Sequence, residues 1–208
     1  MRRPRATLFT WILVATAPVA LAACAGTQTA PGANATPQRT IRVDMETNRG
    51  SITLELYPDE APKTVANFLR YVDEGFYDNT LFHRVIRHHI IQGGGYERGM
   101  KPKKTHDPIP NEADNGLHNL RGTIAMARTM KPDSATSQFF INLADNPSLD
   151  FRSKDPKGWG YCVFGKVVEG MRTVNKIGKA LTTKRAGLHN VPFKDVVIQS
   201  IRRAKTEG

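Results

Sequence analysis

Apolar and polar positions along this chain change period several times, and each change marks an element. Ile41, Val43 and Met45 alternate with Arg42, Asp44 and Glu46, the period of a strand with one buried face. Asn48-Arg49-Gly50 supplies turn chemistry. Ile52, Leu54 and Leu56 then alternate with Thr53 and Glu55, so the two runs predict a hairpin. Pro58 to Pro62 breaks that period and opens a helix, proline being tolerated in a first turn. Val65, Phe68, Leu69 and Val72 fall at helical spacing, and Gly75 stops the helix. Short apolar runs follow at Leu81 to Ile86, Thr123 to Ala127, Gln138 to Leu143 and Tyr161 to Val168. A second helix fits Met171 to Lys179 with Val174 and Ile177 inward, and a last strand lies near Val196 to Ile201. Many short strands with two separated helices predict a mainly β domain, either a closed barrel or a sandwich with helices over its ends. Periodicity does not choose between the two.

The first residues do not belong to that pattern. Arg2, Arg3 and Arg5 precede an apolar stretch from Leu8 to Ala23, which is short for a spanning helix of about 20 residues. It reads as an export signal covering residues 1–23. The stretch ends in Leu21-Ala22-Ala23-Cys24, which resembles the lipobox of bacterial lipoproteins. That resemblance implies cleavage before Cys24 and a lipid on its thiol. Residues 24–39 are rich in Ala, Thr, Gly and Pro without periodicity and read as a flexible tether, leaving residues 40–208 as the folded domain. The expected location is the periplasm, anchored by lipid. Ala25 after the cysteine brings no acidic residue, which points to the outer membrane.

Charge adds little to this. The chain carries +11, and loss of the three arginines in residues 1–23 leaves +8. The cations are scattered singly and in pairs with no basic block and no interleaved aromatics, so they predict a solvated surface and no nucleic acid. Of the two cysteines, lipidation of Cys24 leaves Cys162 alone within an apolar run, where a small buried hydrophobe is expected.

Phe82-His83-Arg84-Val85-Ile86, Gln92-Gly93-Gly94, Gln138-Phe139-Phe140-Ile141 and Val163-Phe164-Gly165-Lys166-Val167 resemble the blocks of the cyclophilins, in order and spacing. Asn111 to Gly116 and Gly122 to Arg128 are similar to the bacterial exported branch of that family. The resemblance runs from about Ile41 to Arg203. It implies an eight-stranded antiparallel barrel, closed and capped by two α-helices, acting as a monomer without a cofactor. It also implies peptidyl-prolyl cis/trans isomerisation during folding of exported proteins, with proline-containing peptides as partners. Arg84 and Gln92 occupy the catalytic positions. Phe140, Leu149, Tyr161, Ile90, His89, Met126 and Arg128 occupy substrate-binding ones, Arg128 through its backbone with a solvated side chain.

The chemistry suits the residues. An X–Pro bond must lose amide resonance to rotate, and no bond is made or broken, so the lever is tighter binding of the twisted state. The twisted prolyl nitrogen gains a usable lone pair. Arginine stays protonated and offers several donors in a rigid fork to meet it. Two departures stand out. Arg87-His88-His89 replaces a Pro-Gly-Phe of relatives, so His89 stands for a pocket phenylalanine or lies on an outward loop. Ser148 stands where an aromatic is common. These departures keep a second reading open, a proline-peptide binding module or holdase. The histidines at 83, 88, 89 and 106 lack the spacing of a zinc site and are expected in solvated loops, so no metal is predicted.

Overall fold

Ile41–Thr47 (β1) and Gly50–Leu56 (β2) form the expected hairpin, paired from Ile41↔Leu56 to Thr47↔Gly50. Their alternation sends Val43, Met45, Ile52, Leu54 and Leu56 into the core. The computed structural model describes residues 39–204. The expected signal, Cys24 and all of the tether but Arg39 lie outside the described residues.

The first helix, α1, spans Pro62–Asp73 and buries Val65, Phe68, Leu69, Tyr71 and Val72. No local side chain caps it. Instead Glu112, distant in sequence, accepts from the Lys63 and Thr64 backbone N–H groups at 3.1 and 2.8 Å and from Thr64 Oγ1. A carboxylate here satisfies orphan donors and complements the helix dipole. Gly75 follows the helix at φ 64° while Phe76 N–H returns to the Tyr71 carbonyl, the left-handed exit that glycine permits.

Then come Thr80–Leu81 (β3), Arg84–Ile86 (β4), Ile90–Gly93 (β5), Tyr96–Glu97 (β6), Lys101–Pro102 (β7), Thr123–Met126 (β8) and Phe139–Asn142 (β9). Val163–Glu169 (β10), the second helix α2 at Met171–Gly178, Thr182–Arg185 (β11), Leu188–Pro192 (β12) and Val197–Arg203 (β13) complete the domain. The left-handed Gly170 admits α2; a side chain there would stand 2.3 Å from the Ser51 carbonyl. Val174 and Ile177 of α2 are fully buried, as their spacing predicts.

Nine strands form one antiparallel sheet in the order β3-β13-β1-β2-β10-β8-β9-β5-β4. Register shifts in β1 and in β10 mark bulges, which let a sheet curl. The order is open, and this corrects the expected closed eight-stranded barrel. The run Leu81 to Ile86 is not one strand: β3 pairs with β13, the chain turns at Phe82-His83, and β4 pairs with β5. Two-residue β3 is too short to ladder with the far edge, and Gly94 N–H donating to the Leu81 carbonyl at 3.3 Å marks the approach of the ends. Inside the curl, Phe68, Tyr77, Phe82, Phe139 and Phe164 pack edge to face or tilted. The β11–β12 hairpin, which periodicity missed, is a polar ribbon turned at Ala186 and Gly187, both at positive φ.

Candidate active site

Alternation in β5, β8, β9 and β10 turns Ile91, Ile124, Phe139, Ile141 and Phe164 into the core. The intervening side chains therefore share the opposite face. Register carries them into one row: Arg84 faces Gln92, Gln92 faces Phe140, Phe140 faces Ala125, and Ala125 faces Val163. A cation, an amide, an aromatic ring and two aliphatic residues thus lie side by side across five strands. Ile90, Ala125, Phe140 and Val163 form an apolar cluster separate from the core, with Leu149 and Tyr161 packed against it.

At the end of the row, Arg84 Nη1 donates to Gln92 Oε1 at 3.1 Å, and Gln92 Nε2 donates to Gln138 Oε1 at 3.0 Å. The relay fixes both amide orientations and aims the guanidinium. Among the described residues no carboxylate lies within ion-pair distance of Arg84. Arg39, Arg42, Arg70, Arg185, Arg202 and Arg203 each pair with a carboxylate, whereas the half-buried Arg84 is held by a neutral amide. Next to it His83 is buried, not on a solvated loop as expected, and its ring packs on Tyr96 at 4.5 Å. Burial pushes the His83 imidazole down to about 4, partly opposed by the Leu81 carbonyl, and its Nδ1 finds no hydrogen-bond partner. The neighbour of Arg84 is therefore neutral at physiological pH.

The walls rest on buried asparagines. Tyr161 meets the Phe140 ring edge to face at 5.5 Å. Asn119 Nδ2 donates to the carbonyls of Leu149 and Tyr161 at 3.1 and 3.3 Å, holding both wall residues from behind. Asn142 Nδ2 donates to Asn119 Oδ1, and Asn146 Nδ2 donates to Asn142 Oδ1 and to the His89 carbonyl. Asp150 closes the network. Burial opposes its ionisation, but donors from Asn119 and His118 outweigh that and hold its carboxyl below the ordinary value.

The sequence-predicted residues divide accordingly. Arg84, Gln92, Phe140, Ile90, Leu149 and Tyr161 are brought together. Met126 is not: it alternates with Ala125 and Ala127, so its side chain joins the core and theirs meet the cluster. The Arg128 side chain is not merely solvated. It lies over the Tyr161 ring at 4.8 Å and donates from Nε to the Gly160 carbonyl at 2.7 Å. His89 is half-buried, with Asn146 Oδ1 accepting from its Nδ1 at 2.7 Å. It flanks the short 3-10 turn Pro147–Leu149 that presents Leu149 and leaves Ser148 exposed. The preceding turn persists without its proline and glycine, through His88 at φ 59° and His89 N–H donating to the Ile86 carbonyl. Sequence reading missed Gln138, which alternation from Phe140 could have found, and Ala125, Ala127 and Val163, which only strand register brings to this face. It also missed the three asparagines, for which no local signal exists. Among the described residues no cluster of His, Cys, Asp or Glu could hold a metal, and His106 bonds Glu74. Cys162 is buried against Thr64; burial pushes its thiol up to about 12, and the Thr64 hydroxyl opposes that rise.

The chain is similar to known proteins over most of its length. The chain is 57% identical over 160 residues to peptidyl-prolyl cis-trans isomerase B of Escherichia coli, spanning 76% of this chain and 97% of that protein. It is 54% identical to peptidyl-prolyl cis-trans isomerase cyp18 of Streptomyces antibioticus, over 77% of this chain and 96% of that one. A crystal structure of a Cryptosporidium parvum cyclophilin-type isomerase, in the presence of the dipeptide Ala-Pro, superposes with a TM-score of 0.65 at 29% identity, covering 79% of this chain and 99% of that chain. Residues 42–203 match the family model for cyclophilin type peptidyl-prolyl cis-trans isomerase/CLD. The chain belongs to the cyclophilin-type peptidyl-prolyl cis-trans isomerase family.

Proposed function

We infer that this chain is a peptidyl-prolyl cis/trans isomerase acting on X–Pro bonds of exported polypeptides, held at a membrane by lipid on Cys24. One observation carries the catalytic part: a guanidinium without a counterion, oriented by Gln92 at the edge of the Phe140 cluster. The pyrrolidine ring packs on Phe140 between Leu149, Tyr161 and Ile90. Arg84 then donates to the prolyl nitrogen as it becomes pyramidal. Planar amide nitrogen is a poor acceptor, so this bond strengthens only in the twisted state, the requirement for lowering a rotational barrier. A neutral His83 keeps a second positive charge out of the neighbourhood. The Ala-Pro dipeptide associated with the Cryptosporidium parvum relative supports a proline-peptide substrate.

The test is a protease-coupled assay on a short X–Pro peptide. Arg84→Ala should lower kcat/KM by roughly ten- to a thousandfold, about 1.4–4 kcal/mol of transition-state stabilisation, with the fold intact. Arg84→Lys should recover only part, because a point charge lacks the fork. Full activity in the alanine variant would overturn the assignment. The tether and the outer-membrane location rest on Leu21 to Cys24 and on Ala25. Cys24→Ala should release the protein from the membrane fraction and abolish labelling by a radioactive fatty acid; an unlabelled wild type refutes lipidation.

A further inference from the structure

Arg84 and Gln92 line a second space that the prolyl pocket does not use. It is a cleft of about 420 Å³, shared with Gln138, Tyr96 and the hairpin residues His189 and Asn190, and Phe140 is not part of its lining. Its charge is one-sided. Every polar side chain named can donate a hydrogen bond, none is a carboxylate, and Arg84 adds a charge that nothing neutralises. The Arg84–Gln92–Gln138 relay consumes one guanidinium N–H and the Gln138 oxygen, which leaves the Gln138 amide N–H group and further guanidinium donors for a ligand.

The hairpin wall is firmly placed. Leu188 and Tyr96 pack on the buried group Leu81, Met100, Val191 and Val197. Arg185 Nη2 pairs with Asp195 at 2.6 Å beside the turn. His189 and Asn190 are exposed on this wall, Asn190 in a left-handed conformation at φ 59°. A donor-lined cleft contiguous with the catalytic guanidinium suits a carboxylate.

We propose that this cleft is a second peptide subsite, which takes the side chain of an Asp or Glu flanking the proline and makes acidic segments the preferred clients. The proposal rests on the isomerase reading. A peptide whose prolyl ring occupies the Phe140 cluster passes Arg84 on its way to the cleft, so one chain occupies both. An acidic side chain there meets unengaged donors, whereas a lysine meets Arg84 as a like charge.

The experiment measures kcat/KM of the full chain on neutral X–Pro peptides carrying a single Glu, Gln or Lys at each of the three positions on either side of the bond. At one or two positions Glu should exceed Lys by roughly tenfold, with Gln between them, and the gap should shrink at high salt. The double variant His189→Glu, Asn190→Asp places carboxylates on the hairpin wall and should bring the Glu-to-Lys ratio to one or below. Unchanged circular dichroism and melting temperature show that the variant folds. A ratio near one at every position in the wild type overturns the proposal, and so does a wild-type preference that the double variant keeps. If no peptide is isomerised, the isomerase reading fails instead. Fluorescence anisotropy of the same labelled peptides then still decides the cleft through the Glu-to-Lys ratio of their affinities.

Discussion

The turn between β4 and β5 shows what a single residue contributes. Relatives place proline and glycine there, a pair suited to a turn whose third residue has positive φ. Here Arg87 and His88 do the work, and His88 holds φ 59°. A left-handed conformation costs a β-carbon-bearing residue on the order of 1 kcal/mol. Glycine would remove that strain but adds freedom to the unfolded chain. His88→Gly should therefore stabilise the protein by about 0.5 kcal/mol net, read as a higher urea midpoint at unchanged slope. A lower midpoint would mean that the His88 side chain makes a favourable contact outweighing the strain.

At the scale of elements, the proposed prolyl pocket is a surface whose front is apolar and whose back is amide. Asn119 reaches three elements at once, joining Leu149 and Asp150 to Tyr161 and accepting from Asn142. Asn119→Ala removes the donor to the Tyr161 carbonyl and one bond each from Asn142 Nδ2 and the Leu149 carbonyl, which keep Thr123 and the Tyr161 N–H. The expected cost is about 2–4 kcal/mol of stability, with a rise in KM larger than the fall in kcat, because walls move while Arg84 does not. Equal loss in both constants would place Asn119 closer to the chemistry. What the sequence disclosed follows the same division. The row from Arg84 to Val163 is partly legible: all five residues stand in the quoted blocks, but only strand register shows that Ala125 and Val163 share the face of Arg84, Gln92 and Phe140. Met126 was misassigned because a run such as Thr123 to Ala127 does not say which alternate residues turn inward. The β11–β12 hairpin was invisible because Thr182 to Arg185 carries no apolar alternation, its fixing contacts being Leu188 and the distant Asp195. The run Leu81 to Ile86 reads as one strand, whereas Phe82 and His83 separate β3 from β4.

For the whole molecule, the buried His83 links stability to pH. The unfolded chain takes up a proton there near pH 6.5, whereas the folded chain resists until about 4. The unfolded state therefore binds more protons between those values, so stability is full above pH 6.5 and drains as pH falls toward 4. The loss is up to about 3 kcal/mol. His83→Phe should flatten this part of the profile when urea unfolding is followed from pH 7.5 to 4; an equally steep fall in the variant would assign the acid sensitivity elsewhere. The position of Arg84 has a separate consequence. Its strand, β4, is the last in the order, three residues long and laddered to β5 alone. The cation proposed to act on the prolyl nitrogen thus rides on a short terminal rung of the sheet, with the β11–β12 hairpin beside it. Amide protons of Val85 and Ile86 should exchange with deuterated water well before those of β1 or β2, and an occupied site should slow them. The strand that carries the proposed chemistry would then also be one at which the sheet opens early.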